Sequence, residues 1–552
     1  FMSYQSPLDL FYHWESNTSN KLFLHQPIKN GWKTWTWKSA GEEVRTLAAA
    51  IIDLNLPPKS NIALLSQNCA HWILTDLAIM MAGHTSVPIY PNLNATSIEQ
   101  ILKHSEARLL FVGKLDHWPS IKNHILSIIK CITFQDYDND GCELYDLFIE
   151  NKYPLQENTI RKAEELATII YTSGTTGVPK GVMHSFGNLS YVGSNAVAYL
   201  NIDHREKFFS YLPLSHSAER IIIEIGSLFS GGEIWFADSV ETFQKNLVEA
   251  KPTVFFAVHR IWQKFQQGIL AKISQKKLDR LLQIPGVASF IRHKIKKGLG
   301  LHQANKIFCG ASPISPSLLQ WFSKLGIKIQ EAYGTTEDCC YSHITTKAGI
   351  KQGFVGQPFP YCTVRLGANN EVQLKQKALM LGYYKEPELT KEAFTPDGFY
   401  KTGDEGFIDE KGFLKITGRV KDLFKTSKGK YIAPAPIEMK LLGCNELEGA
   451  CIVGSGLPQP IALVTISANG SRKSKEDLHF ILEETLTRIN NTLDPHEHLK
   501  KMIVLAENWT VENELLTPTL KIKRQVIEKK YAAQVEEWQH IRECLIWEKE
   551  IN

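Results

Sequence analysis

Along the first third of the chain, short apolar runs alternate with longer runs whose apolar residues recur at helical spacing. Val44 to Leu54 is of the second kind and follows Ser39 and Glu42, which have capping-box spacing. A helix is expected there, ended by Pro57-Pro58. Ile62 to Leu65 reads as a short buried strand, Leu74 to Met81 as a helix and Val87 to Tyr90 as a strand punctuated by proline. Leu166 to Tyr171 is a further buried strand. This rhythm predicts an α/β fold of parallel or mixed sheets covered by helices. No internal period of about 20–50 residues stands out, so a repeat array is not expected.

Near residue 417 the texture changes. Gly418 to Pro436 is rich in glycine, lysine and proline, and a segment with its own strand and helix signals follows. A chain of 552 residues exceeds one compact core. The expected division is a large N-terminal domain over residues 1–418 and a small α+β domain over 419–552.

Composition alters this picture little. With 43% hydrophobic and 22% charged residues the chain has the make-up of an ordinary globular protein. A net charge of +4 gives no reason to expect nucleic acid as a partner. Ten scattered cysteines without a CxxC pair suit reduced thiols in a cytoplasmic enzyme. The polar residues after Met2 predict no signal peptide. The most apolar early stretch, Trp72 to Tyr90, is broken by Asp76, His84 and Pro88, so no spanning helix is expected.

Candidate chemistry begins at Thr172-Ser173-Gly174-Thr175-Thr176-Gly177-Val178-Pro179-Lys180-Gly181, directly after a buried strand. Glycines free the backbone for converging N–H groups, hydroxyls add donors and Lys180 adds a positive charge, which is what a polyphosphate needs. The spacing departs from the Walker A pattern, which sets aside a P-loop motor or kinase.

Tyr171 to Gly181 resembles the signature of the adenylate-forming (AMP-binding) superfamily, and further motifs follow in order over nearly the whole chain. Tyr333-Gly334-Thr335-Thr336-Glu337 resembles YGxTE, Tyr400-Lys401-Thr402-Gly403-Asp404 resembles YxTGD, and Gly418-Arg419-Val420-Lys421-Asp422 resembles the hinge motif. Thr517 to Arg524 resembles the final lysine motif, with Leu520 in place of the usual glycine. Tyr211-Leu212-Pro213-Leu214-Ser215-His216-Ser217-Ala218-Glu219-Arg220 is similar to a stretch of the long-chain fatty acyl-CoA synthetase branch.

The resemblance implies ATP and coenzyme A as co-substrates, a fatty acid as the acid, and magnesium held by Glu337. It implies that Thr172, Ser173, Gly174, Thr175, Thr176, Gly177 and Lys180 cradle the phosphates, with Thr175 and Glu337 counted among the catalytic residues. Gly310, Ala311 and Ser312 would pack on one side of adenine, with Tyr333 stacked on the other and Glu331, Ala332, Gly334, Thr335 and Thr336 around them. Asp404 would accept from the ribose hydroxyls, a task for an acceptor-only carboxylate, and Arg419 would be a second ribose or phosphate contact. Lys521, with Lys523 as rival, would stabilise charge at the α-phosphate. His216 would lie beside the acyl carboxylate.

The family's mechanism makes the C-terminal domain a lid that turns about Lys421. Lys425 and Gly429 then come near the substrate, on the coenzyme A side. The expected reaction is therefore an ATP-dependent long-chain fatty acid–CoA ligation through an acyl-adenylate. The alternatives are another acceptor such as acyl carrier protein, another acid, or a nucleotide-binding scaffold without catalysis. Monomer and homodimer both stay open. Ile221 to Ile223 fit a core more readily than an acyl tunnel. Between Lys272 and Lys297 eight Lys/Arg and one acid are interleaved with apolar residues. A solvated helical face is the first reading of that stretch, and peripheral contact with the inner membrane face is the second.

Overall fold

The computed structural model describes residues 4–173, 179–346, 349–511, 513–517 and 520–550. Among these, the expected first helix runs over Trp37–Ile52, two residues ahead of Ser39. The reason is local: the Thr36 hydroxyl accepts from Ser39 N, and Ser39 Oγ accepts from Thr36 N, so the reciprocal cap is Thr36–Ser39 and Glu42 lies in the next turn. The strand Asn61–Leu65, helix Ala70–Met81 and strand Thr85–Ile89 follow as the apolar pattern requires.

These elements belong to a seven-stranded sheet among the described residues. Its order is Gly382–Tyr383, Pro179–Ser185, Leu166–Ser173, Thr85–Ile89, Asn61–Leu65, Leu109–Val112 and Cys131–Thr133. The last four are buried along their length and run parallel to one another, with Leu166–Ser173 parallel to Thr85–Ile89 on one side and in an antiparallel hairpin with Pro179–Ser185 on the other. A nine-stranded sheet carries Lys207–Ser210, Val254–Ala257, Lys306–Cys309 and Gln330–Tyr333 as a parallel block. Between the sheets lies an apolar core that includes the stacked pair Phe23–Trp37, with centroids 3.8 Å apart.

One polar cluster crosses this core. Arg220 donates to Asp76 at 2.6 Å, to Thr168 at 2.6 Å and to Glu224 at 3.2 Å, all fully buried. It anchors a turn of π-helix, Arg220–Ile225, immediately after His216–Glu219. Ile221 and Ile223 are buried in the core here, which bears out their reading as core-formers.

An antiparallel sheet of Thr363–Leu366, Glu371–Lys375, Tyr400–Ile408 and Leu414–Arg419 follows, then the hairpin Phe424–Lys425/Tyr431–Ile432. The C-terminal part is built on a mixed sheet of Leu447–Val453, Ile461–Ile466, Lys501–Val504 and Leu545–Trp547, packed with helices Pro434–Leu441, Lys475–Asn490 and Arg524–Trp538. The α/β class with a small α+β C-terminal part is therefore as the sequence predicts.

Candidate active site

In open α/β sheets, ligands bind beyond the carboxyl ends of parallel strands. The parallel block delivers its side chains there. The segments after Lys207–Ser210, Lys306–Cys309 and Gln330–Tyr333 bring His216, Gly310 to Ser312 and Tyr333 to Glu337 to one cleft of about 1820 Å³. Thr172 and Lys180 enter it from the hairpin, Asp404 and Arg419 from the antiparallel sheet, and Lys421 and Lys521 from the C-terminal part. Glu331 and Ala332 also line it. Ala311 takes a left-handed backbone (φ 63°) as the chain turns out of its strand.

Asp404 is the best-held acid of the cleft. It stands opposite Arg419 across the strand pair Tyr400–Ile408/Leu414–Arg419. Arg419 Nε lies 2.8 Å from its Oδ1, and the Tyr333 hydroxyl donates to its Oδ2 at 2.6 Å. The carboxylate is 7% exposed, whereas Arg419 remains 51% exposed. Burial and then the Asp404 charge push the Tyr333 phenol well up, which keeps it a donor. Each carboxylate oxygen retains a second lone pair for a ligand hydroxyl.

The turn after Tyr333 is braced from several sides. Asp338 Oδ1 accepts from Thr335 N at 3.0 Å and Tyr341 N at 3.1 Å. A Cβ on Gly334 would sit 2.6 Å from the Cys340 Cα, so only glycine fits there. His184 Nε2 donates to the Thr336 carbonyl at 2.8 Å, which makes Nδ1 the acceptor for the Cys339 thiol at 3.2 Å. Burial lowers the His184 pKa to about 4, so it is neutral. Ser217 Oγ lies 3.0 Å from Thr336 Oγ1.

So braced, the turn presents Glu337 half-buried in the cleft. The Tyr383 hydroxyl donates to Glu337 Oε1 at 2.9 Å, and Lys180 Nζ lies 5.6 Å from the centroid of the same ring. Strand Gly382–Tyr383 pairs with Pro179–Ser185, which sets this Lys180–Tyr383–Glu337 row. Among the described residues no three His, Cys, Asp or Glu side chains cluster as a metal cage. One carboxylate of hard oxygen donors does suit a magnesium ion that keeps most of its waters and takes the rest from phosphates.

Lys521 is exposed as a residue, yet its ammonium lies inside the cleft. Loss of water around the ammonium in the cleft, and then the Arg419 guanidinium, pull its pKa below the usual lysine value, opposed by Asp404, Cys340 and Glu337. His216 faces it. Burial, and then Lys521, lower the His216 pKa to about 3, so this imidazole is neutral, with Nδ1 accepting from Ala218 N at 3.1 Å.

Not every candidate meets here. Gly174, Thr175, Thr176 and Gly177 lie outside the described residues, and of Ser173 only the backbone, at a strand end, is described. Lys425 and Gly429 do not line the cleft; Lys425 Nζ sits over the Tyr431 ring at 5.6 Å, and Gly429 turns the hairpin with φ 77°. Sequence reasoning missed Tyr383, His184, Asp338 and Cys340. Tyr383 lies in none of the motifs singled out above, and its approach to Glu337 is set by strand pairing that no local pattern encodes.

Comparison with known proteins agrees with this geometry. The chain is 28% identical over 564 residues to the long-chain-fatty-acid–CoA ligase FadD15 of Mycobacterium bovis, covering 93% of this chain and 94% of that one. It is 26% identical over 597 residues to the human long-chain-fatty-acid–CoA ligase ACSBG2, covering 93% and 89%. The adenylation domain of a carboxylate reductase from Mycobacterium chelonae superposes with a TM-score of 0.81 at 20% identity, over 97% of this chain and 91% of that one. The family described as "AMP-binding enzyme" matches residues 11–384, and its "C-terminal domain" matches 421–541. The chain belongs to the AMP-binding enzyme family, the adenylate-forming superfamily.

Proposed function

We propose that this chain, an AMP-forming acid–thiol ligase, joins a long-chain fatty acid to coenzyme A in two steps. In the first, the acid's carboxylate oxygen attacks the α-phosphorus of ATP and pyrophosphate leaves, which yields the acyl-adenylate. In the second, the coenzyme A sulfur attacks the acyl carbon, its proton passes to solvent and AMP leaves. The observation that carries this reading is the convergence of Asp404 with its Tyr333 and Arg419 partners, Glu337 and Lys521 on one cleft.

The roles follow from the chemistry of each group. Asp404 and Tyr333 orient the nucleoside, Glu337 offers a hard oxygen to a phosphate-bound magnesium ion, and Lys180 and Lys521 meet anionic oxygens. Magnesium supplies charge neutralisation on the phosphates when bound. The neutral His216 borders the acid's position without competing as a cation. No protein nucleophile is needed, because the adenylate is itself activated. The long-chain assignment is supported by relatives carrying that name over most of their length, and by the Tyr211 to Arg220 segment.

The domain division at 418/419 and the hinge at Lys421 belong to the same proposal. Lys521 reaches the cleft while Lys425 and Gly429 stand outside it, as a lid before its rotation would have them. Lys421→Pro should hold this first conformation; acyl-CoA formation by that variant at the parent rate would remove the hinge assignment.

The deciding experiment is pyrophosphate release with ATP and magnesium across saturated acids from acetate to stearate, with and without coenzyme A. Coenzyme A-dependent turnover that peaks at long chains is expected. Turnover indifferent to coenzyme A, or confined to an aryl acid, would move the chain to another acceptor or acid, and no pyrophosphate with any acid would make it a scaffold.

A further inference from the structure

Helices Gln275–Gln283 and Val287–Leu299 pack as a hairpin, and no residue between 272 and 297 lines the cleft. Its inner side is ordinary core. Leu278, Ala288 and Leu299 are buried, and Ile291 and Ile295 pack against the cluster containing Phe255 and Trp262. The outer side is not an ordinary solvated face. Around the turn at Gly286 (φ 81°), Ile284 is 48% exposed, Val287 36% and Phe290 65%. Val287, Phe290, Lys294 and Lys297 follow one another at spacings of three and four, so they share one helix face, apolar at the tip and basic behind it.

The charge around this tip is one-sided. Eight Lys/Arg lie between residues 272 and 297 against Asp279 alone, and Asp279 accepts from Gln275 Nε2 at 2.9 Å. None of the eight forms an ion pair among the described residues. A solvated face accounts for the lysines but leaves three neighbouring apolar side chains in water without reason. No described helix is long and apolar enough to cross a membrane, so contact would be at a surface.

We propose that this hairpin tip docks on an anionic lipid surface. Phe290, Ile284 and Val287 enter the boundary between headgroups and acyl chains, while Lys276, Lys277, Lys294 and Lys297 lie at the level of the lipid phosphates. Charge complementarity selects the occupant. A neutral apolar partner would leave the unpaired lysines uncompensated, whereas anionic headgroups meet every one of them without demanding a matched shape. The proposal stands on this surface and holds whichever acid the cleft takes.

The test is flotation of the full chain with vesicles of phosphatidylcholine alone and with about one-third phosphatidylglycerol, at low and high salt. Capture by the anionic vesicles only, weakened as salt rises, is expected. Phe290→Ser should cut the partition coefficient about tenfold, and Lys294→Gln with Lys297→Gln roughly thirtyfold. Both variants should turn over a short water-soluble acid at the parent rate, because neither site touches the cleft. Equal capture by neutral vesicles, no capture at low salt, or capture unchanged in both variants would overturn the proposal. So would a dimer seen by sedimentation velocity that Phe290→Ser dissolves while vesicles are ignored, which would give the tip to a second copy.

Discussion

Lys521→Ala is expected to separate the two proposed half-reactions. The Lys521 backbone is held by its own loop: its carbonyl accepts from Thr517 N at 2.7 Å, and its N–H donates to Thr517 Oγ1 at 3.1 Å. Neither bond uses the side chain, and the residue is exposed, so alanine should change stability by no more than about 0.5 kcal/mol. Lys521 lines the cleft, where under the proposed mechanism its ammonium would meet the charge that grows on the α-phosphate during adenylation. Loss of one such contact costs on the order of a hundred- to a thousandfold in rate. Pyrophosphate release measured with a long-chain acid should fall by that factor, while thioester formation from supplied acyl-adenylate stays near the parent rate. Lys523→Ala is the control. Lys523 N donates to the Leu515 carbonyl at 2.9 Å, again a backbone bond, and truncation there should leave both steps within about twofold. Equal loss of both half-reactions in Lys521→Ala would refute the assignment, as would a larger loss in Lys523→Ala.

The remaining predictions concern the supports of the cleft. Tyr383→Phe removes the donor to Glu337 but keeps the ring beside Lys180, so the magnesium-ATP concentration for half-maximal rate should rise about tenfold; an unchanged value would detach Tyr383 from the site. Arg524 makes a paired contact with Glu438 at 2.8 Å and donates to the Ile452 carbonyl at 3.0 Å. Arg524→Ala strands a buried carboxylate and should cost about 3–5 kcal/mol in denaturant unfolding of the C-terminal part; a loss under 1 kcal/mol would show that water compensates. His184 is held neutral with its pKa near 4, below the ordinary imidazole value. The unfolded chain therefore takes up a proton that the folded one refuses as pH falls from about 6.5 towards 4. The stability difference between the parent and His184→Gln should shrink over that window and be constant above it, read from urea midpoints; a difference independent of pH would contradict neutral burial.

Of the candidate site, the residues themselves suggested only a phosphate loop, from glycines and hydroxyls after a buried strand; Glu337, Asp404 and Lys521 were singled out by the resemblance of their short motifs to those of the adenylate-forming superfamily. For the elements, apolar spacing places the strands Asn61–Leu65 and Thr85–Ile89 and the helix between them. It erred at Ser39 only because two hydroxyl residues compete for the cap, and Thr36 wins by bonding Ser39 reciprocally.

What tertiary structure alone decided are the partners. Tyr333 and Asp404 are 71 residues apart, Tyr383 and Glu337 46. Their hydrogen bonds exist because separate sheets close on one cleft, and no periodicity of either segment encodes that. The protonation states belong to the same class, since His184 and His216 are neutral through burial by segments distant in sequence. Composition could count the lysines from 272 to 297, but the outward Phe290 at their head emerged only when Ile291 and Ile295 took the inner face. Short-range constraints thus determined the elements, and short motifs carried the resemblance, whereas charge state, pairing and exposed surface awaited packing, because each depends on atoms that only the folded chain brings within reach.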